Sequence, residues 1–396
     1  MESLRTKFYE KLATIQTELV RDFINKIDWN NRVIGIKGSR GVGKTTLLLQ
    51  YVKLHYKPDR QVLYVSLDDL YFTENKLYEL ASEFYQKGGE LLVLDEVHRY
   101  ANWASEIKNI YDDMPELKLI FTGSSLLHIR QAKADLSRRA VIYNMPGLSF
   151  REFIVFETGH QFNPISLAEL IDNHLAISME VKSKMKPLAL FHDYLHHGYF
   201  PFYRENIQSF HLKLNEIILT ILEIDIPQFA NIPTANIVFL KKLLKIISQS
   251  VPFKPNFTSL SDRTGISINT IKSYLQLLAN AEIVNLLMVK EKGLSGMTKP
   301  EKIYLNNSNL MYNLCSEKPE AGNIRETFFL NQTRHLFEVY ASVLADFEIS
   351  DLQFEVGGKN KKRRQIREVD QGYLVKDDIE FGSDNTLPLW LFGFLY

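Results

Sequence analysis

Apolar residues in the first third of the chain fall into short unbroken runs that are separated by segments of helical periodicity. The runs lie at 32–36, 61–67, 91–94 and 117–123, and helical segments lie at 46–53 and 76–87. Short apolar runs of this kind predict buried strands, and their alternation with helices indicates a parallel sheet. The predicted fold class is therefore α/β, with helices on both faces of a parallel sheet.

Apolar residues at helical spacing also occur before and after this region. Apolar positions from Leu12 to Ile27 predict one or two N-terminal helices, and similar spacing at 167–177 and 212–226 predicts a helical region. The longest apolar run, 387–396, is too short to span a bilayer. We interpret it as a buried terminal strand in preference to a partner-binding tail.

The pattern between 236 and 316 is typical of a winged helix. The predicted elements are helices at 236–248, 258–263 and 268–280, a tight turn at 265–267, and wing strands at 283–289 and 302–305. Thr258 is expected to cap the second of these helices. The third helix is expected to bury one stripe, made of Ile268, Ile271, Leu275 and Leu278.

Composition changes this picture little. The chain has 396 residues, of which 45% are hydrophobic, with 47 basic and 47 acidic side chains. A net charge of zero neither favours nor excludes nucleic acid, so any basic surface must be local. The single cysteine, Cys315, excludes a disulfide within the chain and fits a reducing cytoplasm. The charged N-terminus has no apolar segment behind it, so we expect no signal peptide and a cytoplasmic protein.

The segment 38–45 carries the phosphate-binding pattern G-x-x-x-x-G-K-[ST] between a predicted strand and a predicted helix. Its glycines keep the loop open, so that backbone N–H groups can converge on a polyphosphate at the helix N-terminus. Lys44 supplies charge for the β- and γ-phosphates, and the Thr45 hydroxyl is placed to ligate Mg²⁺. We predict that ATP contacts Gly38, Ser39, Arg40, Gly41, Val42, Gly43, Lys44, Thr45 and Thr46.

A pair of carboxylates follows the predicted strand at 91–94. Ligands bind at the carboxyl ends of strands in open α/β sheets, which is where Asp95 and Glu96 stand. We predict that Asp95 holds Mg²⁺ through water and that Glu96 polarises the attacking water. Ser124, after the strand at 117–123, could sense the γ-phosphate, or could simply end the strand. Arg138 and Arg139 are candidates for an arginine that stabilises transition-state charge.

Together these motifs resemble the AAA+-superfamily ATPases of the prokaryotic group that carries a C-terminal restriction-endonuclease-like domain. The similarity rests on the residues at 38–48, 92–98, 121–125, 136–139 and 148–153. It implies that Ser124 fills the sensor position and that Arg139 is the better finger candidate. In that group a small residue usually stands at the position that Arg138 occupies here, so the choice between the two arginines stays open.

The resemblance also implies a domain order. The expected segments are N-terminal helices at 1–30, an AAA+ ATPase core at 31–154, a helical lid or linker at 155–235, a winged helix at 236–316, and a small α/β endonuclease-like domain at 320–396. In the last segment we predict a helical start at Glu326 and a strand at 352–356.

An endonuclease of this kind needs an acidic residue, then a carboxylate and a lysine two positions apart on one strand. Asp346 and Glu355 could be the carboxylates, but Gly357 stands where the lysine is expected. The nearest lysine, Lys359, lies one pleat further along. This departure argues against cleavage and leaves a phosphate-binding remnant or a structural role.

Two segments are basic enough to suit the binding of nucleic acid. The winged-helix region from 240 to 292 holds eight basic and three acidic residues, and the run 359–367 is rich in lysine and arginine. Five polar residues of the third helix could read bases or phosphates: Asn269, Thr270, Lys272, Ser273 and Gln276. A winged helix used as a rigid protein–protein module is the alternative.

The sequence therefore predicts an ATPase that hydrolyses ATP with Mg²⁺ and couples nucleotide state to nucleic-acid or protein binding. The alternatives are an ATP-gated binding switch with slow or no turnover, and a Mg²⁺-dependent nuclease. A homo-oligomer is possible, and no membrane partner is expected.

Overall fold

The computed structural model describes residues 1–57, 59–123, 136, 138–290, 299–315, 317–362, 366 and 369–396. The chain divides into two compact units, Met1–Gly147 and Leu148–Tyr396. The predicted ATPase core, 31–154, extends a short way past this division.

The first unit is built on a parallel sheet. Its strands are β1 (Val33–Lys37), β2 (Val62–Ser66), β3 (Leu91–Asp95), β4 (Lys118–Gly123) and β5 (Val141–Asn144). Its helices are α1 (Glu2–Thr14), α2 (Lys44–His55), α3 (Leu77–Gln86) and α4 (Trp103–Asp113), with 3₁₀ turns at Asp22–Lys26, Leu70–Thr73 and Val97–Arg99. The predicted parallel α/β sheet is confirmed.

Strand order explains why this sheet can hold a site. The order is β2-β3-β4-β1-β5, so β4 lies between β1 and β3. The three central strands are almost wholly buried, which is why they appear in the sequence as unbroken apolar runs. Because parallel strands end at the same edge, the residues that follow β1 and β3 meet there, beside the end of β4.

The second unit begins with a run of helices. They are α5 (Phe150–Thr158), α6 (Leu167–Lys184), α7 (Pro187–Asp193), α8 (Phe210–Thr220), α9 (Ile226–Ala230), α10 (Ile237–Ser248), α11 (Phe257–Thr264), α12 (Ile268–Asn280), α13 (Ser308–Leu314) and α14 (Ala321–Thr333). Single π turns at Tyr194–Gly198 and Ile221–Asp225 interrupt the helical runs. A capping box of Ser149 and Glu152 starts α5. This accounts for part of the 148–153 motif in structural terms.

A seven-stranded sheet completes the second unit. Its strands are β6 (Val284–Val289), β7 (Lys302–Leu305), β8 (Val339–Ala341), β9 (Phe347–Ile349), β10 (Leu352–Gly357), β11 (Gly372–Lys376) and β12 (Thr386–Pro388), in the order β12-β11-β10-β9-β8-β6-β7. Residues 284–287 of β6 pair antiparallel with β7, whereas 288–289 pair parallel with β8. One sheet therefore runs through both the predicted winged-helix and endonuclease-like segments.

Two predictions about α11 and α12 were wrong. The cap of α11 is Asn256, whose side chain accepts a hydrogen bond from the Ser259 N–H, rather than Thr258. Ile268 is 38% exposed in the first turn of α12, and Tyr274 takes its place in the buried stripe. The buried positions are therefore 271, 274, 275 and 278, which still share one face of the helix.

Two boundaries near the C-terminus also differ from prediction. The helix expected to begin at Glu326 begins at Ala321. The apolar run 387–396 is not one strand, because β12 ends at Pro388 and a 3₁₀ segment occupies Leu389–Phe394. Every residue of this run is buried, and a short apolar run without alternation does not distinguish a strand from a buried helical turn.

Candidate active site

The P-loop connects β1 directly to the first turn of α2. Gly43 precedes the helix in a left-handed conformation (φ 94°), and Gly41 has φ 88°. Gly38 is required for a different reason, since a Cβ placed there would lie 2.2 Å from the Met145 carbonyl oxygen. The glycines predicted from the motif therefore meet local backbone demands of this loop.

Lys44 is buried and lies against its own loop. Its Nζ donates hydrogen bonds to the carbonyl oxygens of Gly38 (2.9 Å) and Ser39 (2.8 Å), and the residue is 5% exposed. The ammonium group is thus held at the loop that the motif assigns to phosphate.

Arg21 stabilises the other side of the loop and was not found from the sequence. Its guanidinium is buried and donates to the carbonyl oxygens of Val42 (3.1 Å), Pro146 (2.6 Å) and Gly147 (2.9 Å). It precedes the 3₁₀ turn at Asp22–Lys26, in a segment that the apolar spacing had indicated as helix. No local pattern distinguishes this arginine from a solvated one.

Thr45 and Asp95 are brought into direct contact. The Thr45 hydroxyl donates to Asp95 Oδ2 at 2.7 Å, and Asp95 is only 3% exposed at the end of β3. A hydroxyl and a carboxylate are the hard oxygen donors that Mg²⁺ prefers. These two residues therefore fit the predicted metal, as the loop and Lys44 fit a polyphosphate.

Two further hydroxyls contact the Asp95 carboxylate. Tyr64, on β2, donates to Oδ2 at 2.7 Å, and Thr122, on β4, donates to Oδ1. Burial raises the pKa of the Tyr64 phenol, and the negative charge of Asp95 raises this pKa further. The phenol therefore stays protonated and acts as a donor. Both residues lie inside apolar runs, where nothing in the sequence marks them as part of a site.

Glu96 has an unusual backbone. It adopts the left-handed conformation (φ 52°, ψ 41°), and its N–H donates to Thr122 Oγ1 and Asp95 Oδ1, each at 3.2 Å. Its side chain is 23% exposed, and Oε2 lies 3.3 Å from Nδ1 of His98. The two predicted carboxylates thus differ in environment, because Asp95 is enclosed and Glu96 is partly exposed.

The arginines predicted for this site are not held against Asp95 or the P-loop by any hydrogen bond or ion pair described in the structure. Ser124 lies outside the described residues. Arg139 forms a bidentate ion pair with Asp112 of α4. Its Nε and one terminal nitrogen each lie 3.0 Å from a carboxylate oxygen. Arg138 is exposed.

A mixed cluster of acidic and basic groups lies on β10 and its surroundings in the second unit. Lys359 was expected on the strand face of Glu355, but β10 ends at Gly357 and Lys359 is exposed beyond it. Lys361 pairs with Glu355 instead, with Nζ 2.5 Å from Oε1. A Cβ at Gly357 would lie 2.5 Å from Lys361 Cγ, so the missing side chain leaves room for this lysine.

Two more carboxylates influence Glu355. Asp346 accepts a hydrogen bond from the Val356 N–H at 2.9 Å, and Glu326 accepts from the Tyr304 hydroxyl at 2.6 Å. Burial raises the pKa of Glu355, and the charges of Asp346 and Glu326 act in the same direction. Lys302 lies 3.4 Å from Glu326 and 3.6 Å from Asp346. Glu326, Lys302 and Lys361 were not assigned to a site from the sequence because they lie on separate elements.

Four of the five polar residues predicted on α12 are exposed: Asn269, Lys272, Ser273 and Gln276. Thr270 is half-buried, and its hydroxyl bonds with that of Ser267 at the helix start.

Two segments of the chain match known family models. Residues 30–154 match the family model of the AAA domain, and 188–321 match a domain of unknown function, DUF8612. The parallel sheet, the P-loop and this match agree that residues 30–154 form an AAA-type P-loop domain.

Individual relatives are distant. An uncharacterized protein of Methanocaldococcus jannaschii is 23% identical over 366 residues, which are 85% of this chain and 74% of the relative. A Walker-type ATPase of Pyrococcus abyssi has a TM-score of 0.42 and 12% identity, covering 76% of this chain and 99% of that one. AMPPCP-bound DnaA of Aquifex aeolicus has a TM-score of 0.28 and 15% identity, covering 66% and 87%. Within the described residues, no helix has both the length and the apolar character needed to cross a membrane.

Proposed function

We propose that this protein hydrolyses ATP with Mg²⁺ in the first unit and uses the nucleotide state to control binding through the second. The observation that carries the proposal is the 2.7 Å contact between the Thr45 hydroxyl and Asp95 beside the P-loop. It joins the two motifs, which stand fifty residues apart in the sequence, at one buried point.

Each residue has a distinct role in this proposal. The loop N–H groups and Lys44 bind and orient the phosphates, and Thr45 and Asp95 hold the metal. Mg²⁺, when bound, neutralises charge on the β- and γ-phosphate oxygens. Glu96, whose carboxylate is partly exposed, orients the attacking water and accepts its proton. Arg139 could stabilise transition-state charge only after leaving Asp112.

The second unit would supply the partner-binding surface. The exposed polar face of α12 and the lysines near 359–362 suit phosphates or an acidic protein surface. DNA, a protein client and a second copy of the chain are the candidate partners. The segments at 155–235, 236–316 and 320–396 act in this scheme as a helical lid or linker, a winged helix and an endonuclease-like domain.

Steady-state hydrolysis of Mg–ATP tests the enzyme activity. We expect Glu96→Gln to lower kcat by about 10²-fold or more, since general-base contributions reach about 10²–10⁴. Lys44→Ala should abolish binding of a fluorescent ATP analogue, and binding as tight as wild type would refute the site. Stimulation of ATP hydrolysis by duplex DNA would identify nucleic acid as the partner.

A wild-type protein that binds ATP without turnover would instead favour an ATP-gated switch. In that case the affinity for duplex DNA or a protein client should differ between ATP-bound and nucleotide-free protein. Binding that is insensitive to nucleotide would exclude the switch.

The pairing of Lys361 with Glu355 favours a second candidate, a Mg²⁺-dependent nuclease in the second unit. Its groups are Glu355, Asp346 and Glu326 with Lys361, since a carboxylate–lysine set can hold a metal and a scissile phosphate. Plasmid nicking should be lost in Glu355→Ala and Lys361→Ala but retained in Lys359→Ala and Lys44→Ala. Absence of nicking with any divalent metal would exclude this activity.

A further inference from the structure

Glu96 has a buried neighbour that none of the roles above uses. His98 has a side chain only 1% exposed, and its Nδ1 lies 3.3 Å from Oε2 of Glu96. The carboxylate itself is 23% exposed, so one part of it faces the histidine while the group still reaches solvent.

The backbone fixes this arrangement. Glu96 precedes the 3₁₀ turn Val97–Arg99, and the Arg99 N–H returns to the Glu96 carbonyl oxygen at 2.9 Å. The Glu96 N–H is held by Thr122 and Asp95 on the other side. The turn therefore places residue 98 next to the carboxylate of residue 96, and burial restricts the imidazole to the interior.

A general base must direct one oxygen at the water that it activates. Glutamate has three side-chain torsions, and a partly exposed carboxylate samples many orientations unless a neighbour holds it. An imidazole with its proton on Nδ1 attracts Oε2 across this 3.3 Å contact, and Oε1 is left to face the reacting water. We propose that His98 is the positioning residue of Glu96. This inference rests on the proposed role of Glu96 as the base.

Three substitutions of His98 separate positioning from packing. The amide nitrogen of asparagine is attached where Nδ1 is attached in histidine, whereas that of glutamine lies one bond further out, near the place of Nε2. His98→Asn therefore keeps a donor toward Glu96, His98→Gln moves it, and His98→Leu removes it. Groups that do not touch the substrate but orient a residue that does typically contribute about 10–100-fold to activity.

The expected result is a kcat reduced by about 10–100-fold in His98→Leu and His98→Gln, with the KM for ATP and the affinity for an ATP analogue nearly unchanged. His98→Asn should recover most of the activity. Equal kcat values for His98→Asn and His98→Gln, whether both high or both low, would overturn the proposal. This comparison stands even if His98→Leu does not fold.

Two controls complete the experiment. His174 is another buried histidine, in α6 of the second unit, and His174→Leu should leave kcat unchanged. In the Glu96→Gln background, His98→Leu should cause no further loss of kcat, because the group that it positions is already removed. If Glu96→Gln is fully active, the proposed function fails. If Glu96→Gln is inactive but His98→Leu and His98→Gln are normal, only the role of His98 fails.

Discussion

At the scale of single residues, the site is organised around the buried carboxylate of Asp95. A charged group that is 3% exposed is strongly destabilising unless hydrogen bonds replace its water. Thr45, Tyr64 and Thr122 supply these bonds from α2, β2 and β4. The hydroxyls therefore serve folding and the proposed metal site together.

Thr122→Val tests this dual role, since valine keeps the shape of threonine and removes its hydroxyl. We expect the free energy of unfolding to fall by about 1–3 kcal/mol, the cost of leaving buried polar partners unsatisfied. The kcat for ATP should fall as well, because the hydroxyl also accepts from the Glu96 N–H. Thermal melts and steady-state kinetics measure the two effects.

Thr6→Val on the exposed face of α1 is the matched control for this substitution. It should change neither quantity appreciably. If Thr122→Val also had wild-type stability and turnover, the hydroxyl would have no role in either.

The residue scale also shows what could be predicted from the sequence. The loop residues and the Asp95–Glu96 pair belong to contiguous motifs whose spacing carries their chemistry. Arg21, Tyr64 and Thr122 act through contacts made only after the strands have been ordered in the sheet, so no local pattern identifies them. The lysine that pairs with Glu355 is Lys361 rather than the predicted Lys359. This pairing could not be predicted either, because it depends on where β10 ends.

At the scale of elements, the junctions between strands, loops and helices decide whether the site forms. The P-loop passes so close to the residues after β5 that Gly38 has no room for a side chain. The element types of the first unit's sheet were predicted well, because short apolar runs alternate there with segments of helical spacing, whereas the apolar run 387–396 alone did not reveal its type. Their ends were predicted less well, because caps such as Asn256 depend on hydrogen bonds that several neighbouring polar residues could make.

Gly38→Ala should destabilise the first unit and weaken nucleotide binding. The new methyl group would meet a backbone oxygen, which cannot rotate away, so we expect a loss of about 1–3 kcal/mol, as for other overpacked sites. Titration with an ATP analogue and chemical denaturation measure the two losses.

Gly322→Ala in the first turn of α14 is the control, because a Cβ there meets nothing within 4 Å. It should be neutral or stabilise by up to about 1 kcal/mol. Equal behaviour of the two alanine variants would contradict the steric argument.

Asn256→Ala should destabilise the second unit by about 1 kcal/mol, because it removes the side chain that caps α11. Thr258→Ala should have a much smaller effect. Chemical denaturation followed by Trp390 fluorescence, with Trp29 and Trp103 replaced by phenylalanine, reports on the second unit. A larger loss for Thr258→Ala would reverse the assignment of the cap.

At the scale of the whole molecule, the two units have cores of different chemical character. The core of the first unit is a sheet of aliphatic strands, whereas the second contains many aromatic contacts in its helical part. His197 belongs to these, packed near Phe153, Tyr203 and Phe210. Burial lowers the pKa of His197, although Asp193 and Glu157 oppose this effect.

This lowered pKa predicts that acid destabilises the second unit. Below the unfolded-state pKa of about 6.5, the unfolded chain binds a proton that the folded histidine does not yet accept. The free energy of unfolding should therefore fall with pH, by at most about 1.4 kcal/mol per pH unit for this residue. The loss levels off below the folded pKa. Denaturation followed by Trp390 between pH 7.5 and 5 measures the slope.

His197→Phe should flatten this slope, because the aromatic replacement does not titrate. His160→Gln, at an exposed histidine, should leave it as in wild type. A slope that is unchanged in His197→Phe would assign the acid sensitivity to other groups.

The double pairing of β6 has a consequence for how this chain could have been assembled and altered in evolution. One strand hydrogen-bonds to β7 at its beginning and to β8 at its end, so a cut between 316 and 320 divides a continuous sheet. Each fragment would present an unpaired strand edge, which favours aggregation. Recombination, duplication or gene fission at this point should therefore be selected against. The segments at 236–316 and 320–396 are expected to be inherited as a single unit.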